Sequence, residues 1–141
     1  MGVEPFLVSS SVLAILAQRL IRVVCRDCAK KYTPSDAELE RATIKRDDLK
    51  GRQLYRAVGC PNCLNTGYAG RVGIHELLIM DEELRAVVMK NVDASAIKRT
   101  AMTKGMLTLR EDGLQKALKG LTTLEEVMTI TQEDVSREQA A

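Results

Sequence analysis

Two cysteine pairs are the residues whose type and spacing could do chemistry. They are Cys25-Arg26-Asp27-Cys28 and Cys60-Pro61-Asn62-Cys63, and 31 residues lie between them. A Cys-x-x-Cys turn aims two sulfur atoms at one point, and two such turns can supply a tetrahedral four-thiolate shell suited to structural Zn²⁺. The separation exceeds the ~15–20 residues of a compact zinc ribbon, so the intervening stretch must carry an insertion. Three other uses of the cysteines stay open. Disulfides require an oxidising compartment. A thioredoxin-like redox pair accounts for one Cys-x-x-Cys and leaves the second idle. An iron-sulfur cluster can use four cysteines, although this spacing matches no familiar cluster motif. A closed four-sulfur site has no open position for a substrate. Its role would be to staple a segment too small to bury a core of its own.

Other chemistries find less support. The sequence has a single histidine, His75, so a mechanism that needs two imidazoles is excluded. No G-x-x-x-x-G-K-[ST] or G-x-G-x-x-G occurs, and the glycine-rich run 66–73 reads as tight turns, not as a phosphate cradle. The net charge of +2 gives no polyanion-binding field, and aromatic residues make up only 3% of the chain. Both arguments weigh against a nucleic-acid-binding ribbon, which needs a basic face and stacking rings. No stretch reaches the ~20 apolar residues of a membrane span. No basic cluster precedes the apolar stretch 6–24, as a signal peptide would require. These features predict a reducing, cytoplasmic setting.

The elements around the cysteines follow from periodicity and capping. Leu13, Leu16, Ala17, Leu20, Ile21 and Val24 recur at helical spacing and predict an amphipathic helix over 10–24. Ser35 and Glu38 have capping-box spacing for a short helix, and 45–52 reads as a charged loop. Residues 53–58 alternate as a strand. A second strand is expected over 71–79, with both faces buried. His75 should be a packed or surface-edge imidazole, and Glu76 should pair with an arginine. Four helices should follow, opened by Asp81, Asp93, Thr108 and Thr123. Gly113 inside the third of these costs ~1 kcal/mol relative to Ala unless a close helix crossing needs it. Met89, Met102, Met106 and Met128 read as core filler. Together this is an α+β chain: a tetracysteine zinc-binding subdomain with short strands, then a C-terminal helical subdomain.

Several motifs in order carry a family resemblance: Gly2-Val3-Glu4-Pro5-Phe6-Leu7, Ala17-Gln18-Arg19-Leu20, the two cysteine pairs, the run from Thr66 through Arg71-Val72-Gly73-Ile74-His75-Glu76 to Leu78, Gly105-Met106-Leu107-Thr108-Leu109, Asp112-Gly113, and Thr122-Thr123-Leu124-Glu125-Glu126-Val127. The chain resembles the C-terminal end of the type II secretion ATPases, close to the type IV pilus assembly ATPases. The opening motif leans toward the secretion branch. The resemblance implies a cytoplasmic homo-hexameric motor at the inner membrane, held there by platform proteins. Cys25, Cys28, Cys60 and Cys63 would be its Zn²⁺ ligands, and Arg19 and Arg71 its candidate nucleotide or subunit contacts. ATP and Mg²⁺ would be bound by the full-length parent only, because the family's phosphate-binding loop lies upstream. The fragment alone would be non-catalytic and would bind no nucleic acid. The implied organisation is 1–24 as the end of the ATPase core, 25–63 as the zinc subdomain and 64–80 as a turn and strand rejoining the core. Residues 81–132 would be the helical subdomain and 133–141 a disordered tail.

Overall fold

The computed structural model of the chain describes residues 4–90 and 93–132; the tail expectation for 133–141 lies outside them. A long antiparallel ribbon is the spine. Strand β1 (Ala14–Val24) pairs with β4 (Tyr68–Ile79) from Ala14↔Ile79 to Arg22↔Arg71, with a register irregularity before Val24↔Tyr68. Helix α1 (Pro5–Ser11) precedes the ribbon. Between its strands come β2 (Lys30–Tyr32), α2 (Asp36–Ala42), a 3₁₀ turn at Arg46–Leu49, β3 (Leu54–Arg56) and a second 3₁₀ turn at Pro61–Cys63. β2 and β3 form their own two-stranded sheet. Helices α3 (Glu82–Met89), α4 (Ala94–Thr103), α5 (Leu109–Leu118) and α6 (Leu124–Ile130) complete the described chain. None of the described helices is long and apolar enough to cross a membrane.

The helix expected over 10–24 is corrected to a strand. The spacing misled because β1 is apolar on both faces, and two interleaved period-2 rows also satisfy an i, i+3, i+4 count. Leu13, Leu16 and Leu20, which the helical stripe would bury, are exposed. The long-range ladder with β4 decides the conformation. The segment expected as a charged loop contains a 3₁₀ turn that buries Leu49. Strand β4 starts earlier than periodicity suggests. Its outer side, including Leu77 and Ile79, is exposed, so only one face is covered among the described residues.

Among the described residues, three apolar clusters hold the elements together. Ile21 and Ile74 on the ribbon's inner face meet Leu109 and Ala117 of α5 and Val127 of α6. Leu39, Ala42, Leu49 and Leu54 of the inserted segment meet Leu124, with Leu114, Leu118 and Met128 packed on them. The inserted segment therefore shares a core with the terminal helices and is no free appendage. Met80, Leu84 and Ala101 form the third cluster, with Val12 and Met106 against it. Met106 and Met128 fill core as expected, whereas Met89 and Met102 are exposed.

Local capping signals place the helices. Ser35 and Thr108 each accept from the N–H three residues on, and Glu38 and Glu111 reach back to the cap N–H groups. Asp81 and Asp93 accept from Leu84 and Ala96. Glu76 takes the N–H of Leu109 at 3.2 Å and faces Lys98 at 3.8 Å; its partners are a helix start and a lysine, not the expected arginine. Half-exposed His75 donates its main-chain N–H to Asp112 Oδ2 at 2.8 Å. At Thr123 the pattern changes. Its hydroxyl caps Glu126 N–H, but the Glu126 carboxylate crosses to β1. There it accepts from the main-chain N–H of Arg22 at 3.0 Å and from the guanidinium Nε at 3.0 Å. Burial raises the Glu126 pKa, but these bonds and the Arg22 charge outweigh it and hold the group below its ordinary value.

Two outcomes are expected. Gly113→Ala should lower stability by about 1–2 kcal/mol in a denaturant titration. A Cβ there would sit 2.7 Å from Val127 Cγ1, and this overpacking exceeds the ~1 kcal/mol gain in helix propensity. The second concerns pH. A depressed carboxylate stabilises the fold above its unfolded pKa, and that stability is lost as pH falls through the folded value. Melting curves should show Glu126→Gln less stable than the parent at pH 7. The gap should begin to close near the ordinary value of 4.5 and be largely gone once pH is below the folded value.

Candidate metal centre

The first cysteine hairpin grows directly out of β1. After Val24 the chain turns so that Ala29 N–H bonds Cys25 carbonyl at 2.9 Å, and β2 follows. The second hairpin is the Pro61–Cys63 turn. Pro61, at its start, has no N–H to leave unsatisfied. Cys63 N–H bonds Cys60 carbonyl at 3.1 Å, and Leu64 and Asn65 take left-handed backbone to turn the chain back. Two bonds join the hairpins: main-chain Cys25 N–H to Gly67 carbonyl at 2.9 Å, and Gly59 N–H to the Cys28 side-chain Sγ at 3.3 Å.

The four sulfurs converge. Cys25 and Cys60 are 3.9 Å apart, Cys28 and Cys63 3.8 Å, and Cys60 and Cys63 3.7 Å. All four ligand atoms lie within 4.8 Å of one another, and none of the cysteines is in a disulfide. Four sulfurs held tetrahedrally at about 2.3 Å from one ion sit about 3.8 Å apart. The cluster therefore fits a metal of zinc's size and thiophilicity. A redox reading that uses one pair leaves unexplained why the other shares its space.

Electrostatics point the same way. Burial raises the Cys63 thiol, but N–H groups of Cys60 and Gly67, each 3.2 Å from its sulfur, dominate and bring it to about 6. Burial pushes Cys60 up to about 11 and also raises Cys28, with neighbouring sulfurs opposing ionisation. One thiolate forms readily and its charge resists the next. A cation at the centre removes that conflict.

The ribbon and terminal helices anchor the centre. Just before Cys25, Val24 N–H bonds Leu121 carbonyl at 3.0 Å, and Thr122 Oγ1 donates to Arg22 carbonyl at 2.8 Å. Just after Gly67, the Tyr68 hydroxyl pairs with Thr123 Oγ1 at 2.9 Å while the Arg22 guanidinium lies 4.0 Å above its ring. No local spacing marks this clasp; Thr122 and Arg22 lie 100 residues apart.

The two candidate arginines are not brought together. Pairing partners in the ribbon share a face, and Arg19 pairs with inward-facing Ile74 while Arg71 pairs with Arg22 on the outer face. Arg19 Nη1 donates to Ile130 carbonyl at 2.5 Å, and Arg110 Nε donates to Thr131 Oγ1 at 3.0 Å. Both cations thus sit at the carbonyl end of α6, where the helix dipole favours them. Arg71 is exposed.

Comparison with known proteins decides the family. The family described as "Type II/IV secretion system protein" matches residues 1–129. The chain belongs to this family. The type IV pilus assembly ATPase PilB of Thermus thermophilus is 47% identical over 93% of this chain and 15% of that protein. Type II secretion system protein E of Pectobacterium carotovorum is 43% identical over 95% of this chain and 26% of that protein. Type II secretion system ATPase E of Vibrio cholerae is 43% identical over 94% and 26%. The chain spans about a quarter or less of the length of these relatives.

Gly67 offers the sharpest local test. It has φ +78°, bonds Cys63 Sγ through its N–H, and leaves no room for a Cβ, which would meet Ala57 Cβ at 2.6 Å. Gly51 has φ +74° with nothing within 4 Å of a Cβ. Gly67→Ala should therefore cost more than about 2 kcal/mol and weaken Co²⁺ uptake. Gly51→Ala should cost only the ~1 kcal/mol of backbone strain and leave uptake unchanged. Thermal melts and Co²⁺ titration check both.

Proposed function

We propose that this chain is the zinc-stapled region of a cytoplasmic motor ATPase of the type II secretion and type IV pilus class. The convergence of four sulfurs from two hairpins carries the reading, and membership of the family gives it context. Cys25, Cys28, Cys60 and Cys63 would hold Zn²⁺ with no position left for substrate, so the ion serves folding. ATP and Mg²⁺ would bind elsewhere in the full-length protein, since no phosphate-loop motif occurs in this sequence. The PilB relative at 47% identity supports a pilus-assembly motor as a second reading. The leaning of the opening motif toward the secretion branch receives no support from these identities.

The ribbon's outer face supports an assembly role. Leu16, Leu20, Leu77 and Ile79 are each about half exposed or more, and pairing sets them on one face. In this proposal the face seats the rest of the ATPase domain. The chain would contribute to a homo-hexamer that works with inner-membrane platform proteins. Exposed Arg71, on the same face, is the better placed of the two arginines for a nucleotide or subunit contact. Arg19 would act by holding α6.

Elemental analysis of the chain purified without added metal should find about one zinc per chain. Cys60→Ser should lose the metal and lower stability by more than about 2 kcal/mol. The 141-residue chain should release no phosphate from ATP, whereas the full-length parent should. Absence of zinc, or a metal-free variant as stable as the parent, rejects the staple. ATP hydrolysis by the isolated chain rejects the division of labour.

A further inference from the structure

Asp27 and Asn62 occupy equivalent places in the two hairpins, each one residue before the second cysteine. The Asn62 amide Nδ2 donates to Asp27 Oδ2 at 2.9 Å, a side-chain bond from one hairpin to the other. The cysteines that follow, Cys28 and Cys63, have sulfurs 3.8 Å apart. The bond therefore spans the hairpins beside a sulfur pair that must stay together.

Both side chains are exposed, so water screens but does not abolish the charge at this place. A four-thiolate zinc complex carries two net negative charges, and a carboxylate beside it adds repulsion. The Asn62 N–H offsets part of that cost, and a charge-assisted hydrogen bond is stronger than a neutral one. Neither side chain is among the four ligands, so any effect on the ion passes through the cysteines. Metal release from such a site begins when one hairpin swings away. A bond between the hairpins keeps the detached thiolates at high effective concentration near the ion and favours recapture.

We propose that the Asp27–Asn62 hydrogen bond is a positioning clamp that keeps the two cysteine hairpins in register around the ion and slows its release. The proposal rests on the metal reading above. Both residues are positioning residues, and the clamp is a property of this pair, not of the ligand set.

The test uses the full 141-residue chain loaded with Co²⁺ or Zn²⁺ and challenged with excess chelator. Asp27→Ala and Asn62→Ala should each speed release, by up to about 10-fold, toward the low end of what groups supporting metal ligands contribute. The double variant should release no faster than either single one. The exchange Asp27→Asn with Asn62→Asp, which reverses donor and acceptor, should restore slow release. The Co²⁺ absorption bands should be the same throughout, showing an intact four-sulfur shell. Single variants that release at the parent rate overturn the clamp, as do single effects that multiply in the double variant or an exchange variant that stays fast. A parent chain that takes up neither metal overturns the metal reading and the clamp with it; a parent that binds metal with unresponsive variants overturns the clamp alone.

Discussion

Four sulfur atoms brought within 4.8 Å of one another set the constraint around which the rest is arranged. Thiolates at that distance repel, and burial compounds the cost of charging them. The local backbone relieves part of the conflict by aiming N–H groups at Cys63 and Cys28. It does not relieve all of it, because Cys60 still resists ionisation. A divalent ion is the economical completion. With an ion there, the 25–67 segment would be closed at its base, and its short sheet and single helix would need to supply only a small core.

That small core is not self-sufficient, and the structure shows where the remainder comes from. Leu39, Ala42, Leu49 and Leu54, with Tyr32 and Ile44 against them, are the inserted segment's share of one cluster. Leu124, Leu118 and Met128 of the terminal helices complete the cluster. The same α6 presents Val127 to the ribbon. One short helix thus touches both the inserted segment and the ribbon. This explains why so many polar contacts converge on it. Arg19 and Arg110 cover its carbonyl end, Thr123 caps its start, and Glu126 grips β1. The cysteine cluster is linked to α6 by a short chain of direct contacts through Arg22, Tyr68 and Thr123.

How much of this was legible in the sequence depended on range. The caps at Ser35, Asp81, Asp93, Thr108 and Thr123 all hold, because a cap is written within four residues. The cysteine cluster was legible because the residue type is scarce and its spacing is geometric. Gly113 announced a close helix crossing, and Val127 supplies it. Strand β1 was not legible. Its apolar rows on both faces satisfy helical and extended periods alike, and its conformation is decided by β4 some fifty residues away. Nor was the union of the inserted segment with the terminal helices, since side-chain packing between distant segments leaves no periodic trace.

The two boxes at Thr108 and Thr123 show why identical spacing can serve different ends. Both place a glutamate three residues after the capping threonine. At α5 the carboxylate of Glu111 returns to Thr108 N–H, and both groups stay local. At α6 the Arg22 side chain and its main-chain N–H lie within reach, and a charged donor outcompetes a neutral N–H for the same oxygen atoms. Glu126 is then almost fully buried at 3% exposure, a position that a carboxylate tolerates only with a charged, hydrogen-bonded partner. The local motif starts the helix while its glutamate fastens that helix to Arg22 of β1, three residues before the first cysteine hairpin begins.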